Sequence, residues 1–122
     1  MFRKGDILLA ANRSRVTAYH YIVYYETLSD SEFAGTFIST DGSYEQNIEM
    51  SNNHFEEYDN HGALYDVNYD SSFLACAKLI KLESWGPFSK VGQLSNEGVE
   101  FLENTIGDLE PITWEDLIRS LL

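Results

Sequence analysis

Residues 72–102, SFLACAKLIKLESWGPFSKVGQLSNEGVEFL, hold the reading that decides the fold. Phe73, Leu74, Ala75, Cys76 and Ala77, then Leu79 and Ile80, form an apolar run with strand character that ends at the breaker Trp85-Gly86-Pro87. A short strand resumes through Val91-Gly92-Gln93-Leu94, and Ser95 then stands where a helix N-cap is expected. Leu94 and Val99 occupy the two positions of a hydrophobic staple around that cap, which fixes the angle at which the strand turns into the helix. A buried strand, a bend, a short strand and a packed helix are the closing corner of a compact β-rich domain.

Outward from that corner, the N-terminal side reads almost wholly as strand. Gly5-Asp6 leads into a first strand from Ile7 to Ala10, and a polar loop through Arg13 and Arg15 follows. Val16 to Thr27 is β-branched and aromatic with no breaker, which predicts a long central strand. Phe33 to Thr40 predicts a third, with Gly35 a bulge or a close backbone approach. Asp41-Gly42 is a hairpin signal, and Tyr44 to Met50 returns as the fourth strand. Ser51 to Gly62 is polar and acidic, a loop with one helical turn near His54 to Tyr58.

On the C-terminal side, Val99, Leu102 and Ile106 share one helical face, and Gly107 suits the end of that helix. A second helix starts at Thr113, where Thr113-Trp114-Glu115-Asp116 resembles a capping box with Asp for Glu. Trp114, Leu117, Ile118, Leu121 and Leu122 then form an apolar stripe that either folds back on the sheet or meets a second copy in a homodimer. The expected core is Ile7, Leu9, Ile22, Tyr24, Phe37, Ile48, Leu74, Leu79, Val99 and Leu102.

Length and composition bound these readings. A chain of 122 residues is one domain with one sizeable core, its strands over about 4–94 and its helices over about 95–122. Lys and Arg number 8 against 20 Asp and Glu, a net charge of −12 that opposes broad affinity for nucleic acid. That charge serves solubility or selects a basic protein partner. Cys76 is the single cysteine, so no internal disulfide forms and a buried, inert thiol is expected. The apolar run after the basic start is too short for a signal peptide, and no stretch has the ~20 apolar residues of a membrane span. The expected compartment is the cytoplasm.

Sites of chemistry are few. His54, Glu57, Asp59 and His61 are metal-ligand types at a spacing that fits no established centre, and an acidic loop is more simply a solvated one. Asp66-x-Asn68-x-Asp70 opens like a calcium loop but has Ser71 where Gly is needed and Ala77 where Glu is needed. Neither a metal nor another cofactor is expected. The basic residues cluster by position: Arg3, Lys4, Arg13 and Arg15 flank the first strand, and Lys78, Lys81 and Lys90 flank the segment at 73–94. If the two regions are neighbours, an acidic protein carries one basic face; otherwise these are the charges that keep strand edges from pairing with other chains.

The order of elements resembles the MazF/PemK toxin family, small SH3-like antiparallel barrels closed by C-terminal helix. Lys4-Gly5-Asp6-Ile7 looks like that family's opening strand, and Phe37-Ile38-Ser39-Thr40 like the end of its third. Lys90-Val91-Gly92-Gln93-Leu94-Ser95 is similar to its step into the last helix and is the best local match. Members are typically dimeric, metal-independent endoribonucleases, with an Arg at the start of the second strand and a Thr at the end of the third as the usual catalytic pair. Thr40 matches that motif; His20 stands in the Arg position, and two family motifs, a Gly-Ser-Glu loop and an Asp-Gln pair, are missing. The resemblance therefore implies the fold more than the activity.

Two functions follow. In the first, the chain is a toxin-antitoxin-related domain, a divergent or inactive endoribonuclease. His20 would then be the base at the ribose 2′-OH, and Thr40 with Arg13, Arg15, Lys78 and Lys81 would hold the phosphates of single-stranded RNA. In the second, the same barrel is an acidic, non-enzymatic module that holds a protein partner, and His20 is a partly buried histidine with one backbone bond.

Overall fold

A computed structural model describes residues 2–10, 21–39, 47–65 and 72–120. In chain order the strands are β1 (Asp6–Ala10), β2 (Tyr21–Thr27), β3 (Glu32–Ser39), β4 (Asn47–Glu49), β5 (Phe73–Ala75), β6 (Leu79–Leu82) and β7 (Phe88–Gln93). Two helices close the described chain, α1 (Asn96–Ile106) and α2 (Trp114–Ser120). Short 3-10 turns lie at Asn52–His54 and Glu83–Trp85. The expected turn near 54–58 is thus a tighter one placed earlier, where Ser51 and His54 exchange side-chain and backbone bonds across its start.

The seven strands form one sheet of antiparallel pairs, ordered β4-β5-β3-β2-β1-β7, with β6 on β3. Its path is open, and among the described residues no ladder joins β7 to β4. The fold is therefore mainly β with C-terminal helices, as the sequence predicts, and the sheet is not closed into a barrel.

β3 organises the sheet because two strands share one of its edges. Its C-terminal half pairs β5 (Ile38↔Leu74), and its N-terminal half pairs β6 (Gly35↔Leu79). Between those pairs, Thr36 and Phe37 face residues 75–78, so the run expected as one strand is two strands around an outward loop. Side-chain and C-terminal bonds hold the loop. Thr36 Oγ1, fully buried, donates to Ala75 O at 2.8 Å. Ile112 N donates to Lys78 O and Ile80 N to Ile112 O, both at 2.9 Å, which adds a parallel bridge beside β6. No Gly or Pro marks this break, so the sequence pattern does not reveal it.

Both faces of the sheet are covered. On one side Ile7, Val23, Ala34, Ile38 and Leu74 pack under α1 through Leu102 and Ile106. On the other, Leu8, Tyr24 and Phe33 gather Phe2, Ile22 and Phe88 into an aromatic layer. There Tyr24 stacks on Phe33 at 4.9 Å between centroids, and Phe88 meets Phe33 edge-on at 5.4 Å. Two-sided burial changes the expected core. Leu8 is fully buried where Leu9 is only half-buried, and Ile22, Phe37 and Val99 are also half-buried. Ile48 is 40% exposed because β4 lies at the end of the sheet order.

The corner at Ser95 forms as the sequence predicts. Ser95 Oγ accepts from Gly98 N at 3.1 Å and donates to Asn53 O at 2.5 Å, so one hydroxyl caps α1 and ties it to the 3-10 turn. Leu94 and Val99 both join the core beneath it. At its other end, Gly107 is in the right-handed helical region, not the left-handed one usual for a terminal glycine. What excludes a side chain there is Glu103, whose backbone oxygen would lie 2.4 Å from an added Cβ. No helix of the described residues is long and apolar enough to cross a membrane.

Candidate functional site

His20, Thr40, Arg13 and Arg15 lie outside the described residues, as do the hairpin turn at Asp41-Gly42 and the calcium-like stretch at 66–71. Lys78 and Lys81 are described, and they sit on different sides of the sheet. Lys78 follows β5, buried on the α1 side, with Nζ donating to Gly107 O at 3.0 Å. Lys81 pairs across strands with Phe33, which directs it to the aromatic layer. Desolvation there pushes its ammonium down to about 8.

The basic residues of the two sequence regions do meet, at one tyrosine. Lys4 Nζ lies 4.2 Å from the centroid of the Tyr25 ring and Lys78 Nζ 4.6 Å from it, two cation–π contacts on one side chain. Tyr25 sits at a bulge in β2. Its hydroxyl donates to Glu103 Oε2 on α1, and Lys4 Nζ reaches Glu103 Oε1 at 2.9 Å. The group sets two ammonium charges, Lys4 and Lys78, against the single carboxylate of Glu103. The Tyr25 hydroxyl first, and Lys4 second, hold the Glu103 carboxyl below the ordinary carboxylate range. The same hydrogen bond, then burial, raises the Tyr25 phenol, and the bond to Glu103 raises Lys4. The cluster clamps the turn before β1, the end of β2 and α1 to one another.

Elsewhere two further cations are engaged, while Arg3 is exposed. Lys90 Nζ lies 3.2 Å from the buried Asp6 carboxylate and 2.9 Å from Gln93 Oε1, and Arg119 pairs with Asp116 at 3.1 Å. The loop carrying His54, Glu57, Asp59 and His61 is held by bonds to its own backbone. His54 Nδ1 accepts from Ser51 N, and its ring stacks on Phe101 at 4.3 Å. Asp59 Oδ1 accepts from His61 N at 2.8 Å and Ala63 N at 2.9 Å, and those amides hold its carboxyl below its ordinary range. Among the described residues no three metal-ligating side chains gather.

Two exposed apolar features were missed or only half read from the sequence. The stripe on α2 is the half-read one. Trp114 meets Phe37 edge-on at 6.1 Å, so the helix does fold back on the sheet, while Trp114 and Ile118 stay 44% and 40% exposed. Leu121 and Leu122 lie outside the described residues. The missed one is a small hairpin over residues 57–65, where Tyr58 and Leu64 pair in an antiparallel bridge and are 53% and 60% exposed. Its sequence signal was Asp59-Asn60-His61-Gly62 between Tyr58 and Leu64, a turn-forming run with one apolar residue on each side.

The chain matches no protein-family model, no curated protein and no solved structure.

Proposed function

We propose that the chain is a MazF/PemK-like domain that binds a cationic protein surface and does not cut RNA. The observation that carries this reading is the state of four of the six basic side chains among the described residues. Lys4, Lys90 and Arg119 are each paired with a carboxylate, and Lys78 is buried against a backbone carbonyl. Glu49, Glu56, Glu57, Glu97, Glu100 and Glu110 are meanwhile exposed. With a net charge of −12, a phosphate backbone approaching that surface is repelled over roughly a Debye length of ~8 Å at physiological salt, while a cationic protein is attracted.

The kinship to MazF/PemK barrels rests on the resemblance in sequence. The stretch of best local similarity is the one that runs from β7 through the Ser95 cap into α1. The split of Lys78 and Lys81 between two sides of the sheet favours the binding reading over RNA cleavage, which would draw on both. The test is incubation of the purified protein with a long single-stranded RNA in EDTA. No discrete cuts are expected from the wild type or from His20→Arg, which restores the family's residue. Metal-independent cuts that vanish in His20→Ala would overturn the proposal and restore the ribonuclease.

A further inference from the structure

We infer that the hairpin over residues 57–65 is the contact surface of this module, and that it takes a cationic segment carrying an apolar side chain. The inference rests on the binding function proposed above and gives it a place and a partner chemistry.

The hairpin's bonding pattern sets its outward face. Asp59 N donates to Ala63 O at 2.8 Å and Tyr65 N to Glu57 O at 3.0 Å, so the bonds flank the Tyr58↔Leu64 bridge without passing through it. In an antiparallel ladder that is the non-hydrogen-bonded kind of pair, whose side chains stand on the same face at the closer of the two spacings. Tyr58 and Leu64 therefore form one continuous apolar spot. Each is more than half exposed, more than any other large apolar residue of the described chain.

The spot is also held ready. Asp59 Oδ1 gathers the amides of His61 and Ala63, and Gly62 takes a positive φ of 82° at the turn. Glu56 N donates to Gln93 O at 2.9 Å, which anchors the base of the hairpin to β7. A preformed surface loses little conformational freedom when it binds. An aromatic and a leucine in this setting are the anchors, and the residues around them decide what approaches.

Those residues are acidic. Glu56 and Glu57 are exposed on the run leading to Tyr58, while Asp59 after it is half-buried and turns its carboxylate to the amides of His61 and Ala63. A cationic partner satisfies this rim. A second copy does not, because a two-fold contact would set the same carboxylates against each other. A phosphate backbone is repelled by the same charges. The occupant is thus a lysine- or arginine-rich protein segment with an apolar residue to lie across Tyr58 and Leu64.

The experiment uses the full chain, labelled with nitrogen-15, titrated with an alternating lysine–leucine peptide and with its lysine–serine counterpart. The expected result is that amide shifts centre on Tyr58, Ala63 and Leu64, with the lysine–leucine peptide binding more tightly and its binding weakening with salt. Tyr58→Ser with Leu64→Ser should reduce affinity by about tenfold or more. Glu56→Lys with Glu57→Lys should also weaken it, with the exposed apolar pair intact. Shifts centred on Trp114 and Ile118, with the hairpin variants binding like wild type, would overturn this surface and leave the binding function standing. Equal affinity for the two peptides would overturn the apolar anchor. Binding of neither peptide would overturn the surface and the function together.

Discussion

Tyr25 shows how much one side chain can hold together. Its ring takes two ammonium groups, and its hydroxyl takes a helix carboxylate. Tyr25→Phe keeps the ring and loses the hydrogen bond, so a loss of about 1 kcal/mol in urea unfolding at pH 7 is expected. Because the folded Glu103 carboxyl lies below its unfolded value, its contribution is present above about pH 4.3 and is lost as pH falls through the folded value. Glu103 is 47% exposed on its side chain, so solvent keeps that contribution small. Glu103→Gln should flatten the acid limb slightly and let the Tyr25 phenol ionise at lower pH, read by carbon-13 tyrosine NMR. Lys81 is shifted in the same direction as Glu103 for a different reason, the burial of its charge. Its folded value of about 8 lies below the ~10.4 of an unfolded lysine, so in that interval the unfolded chain binds more protons and stability rises with pH. Urea midpoints of the wild type should therefore climb relative to Lys81→Met between about pH 8 and 10. Parallel curves would refute the desolvated lysine. Neither role was legible in the sequence. Lys81 read as an RNA contact because its spacing from Lys78 says nothing about faces, whereas the two residues straddle the end of the loop before β6.

At the level of elements, α1 is the part most fully written in the chain. Its cap, staple and buried face at Leu102 and Ile106 are all visible as residue types at fixed spacing. What spacing does not disclose is how closely the 3-10 turn lies against it. An added Cβ at Gly98 would fall 2.0 Å from His54 O, a backbone atom. Alanine normally stabilises a helix by up to ~1 kcal/mol over glycine. Gly98→Ala should do the reverse and lower the thermal midpoint, because α1 or the turn must move. A raised midpoint would mean that the two are not in contact. The run at 73–82 is the contrary case. It reads as one strand, and it divides because distant residues, Thr36 and Ile112, bond to the loop between its halves. Local pattern cannot contain a partner so far along the chain.

For the whole molecule, the sequence leads to one sizeable core, and the protein packs residues on both faces of its sheet. That is why Leu8 and Phe33 replace Leu9 and Ile48 in the core, although the β-rich class and the C-terminal helices were plain. The C-terminal segment contributes unequally. Removing residues 113–122 takes away α2 and its edge-on contact with Phe37, an aromatic pair worth about 1 kcal/mol beyond its buried area. A cooperative melt with a modestly lower midpoint and an unchanged sedimentation profile is expected. Removing residues 107–122 instead uncovers β6 and takes the carbonyl from the buried Lys78, and this variant should aggregate. The placement of β1 has a further consequence for how such a protein is made. β1 lies between β2 and β7, with Asp6 opposite Gln93. A nascent chain leaving the ribosome can pair its first strands, yet one side of β1 must wait until almost all of the sheet has been synthesised. Through most of translation an apolar strand edge stays open, and the acidic character of the chain then guards it against its neighbours on the same messenger.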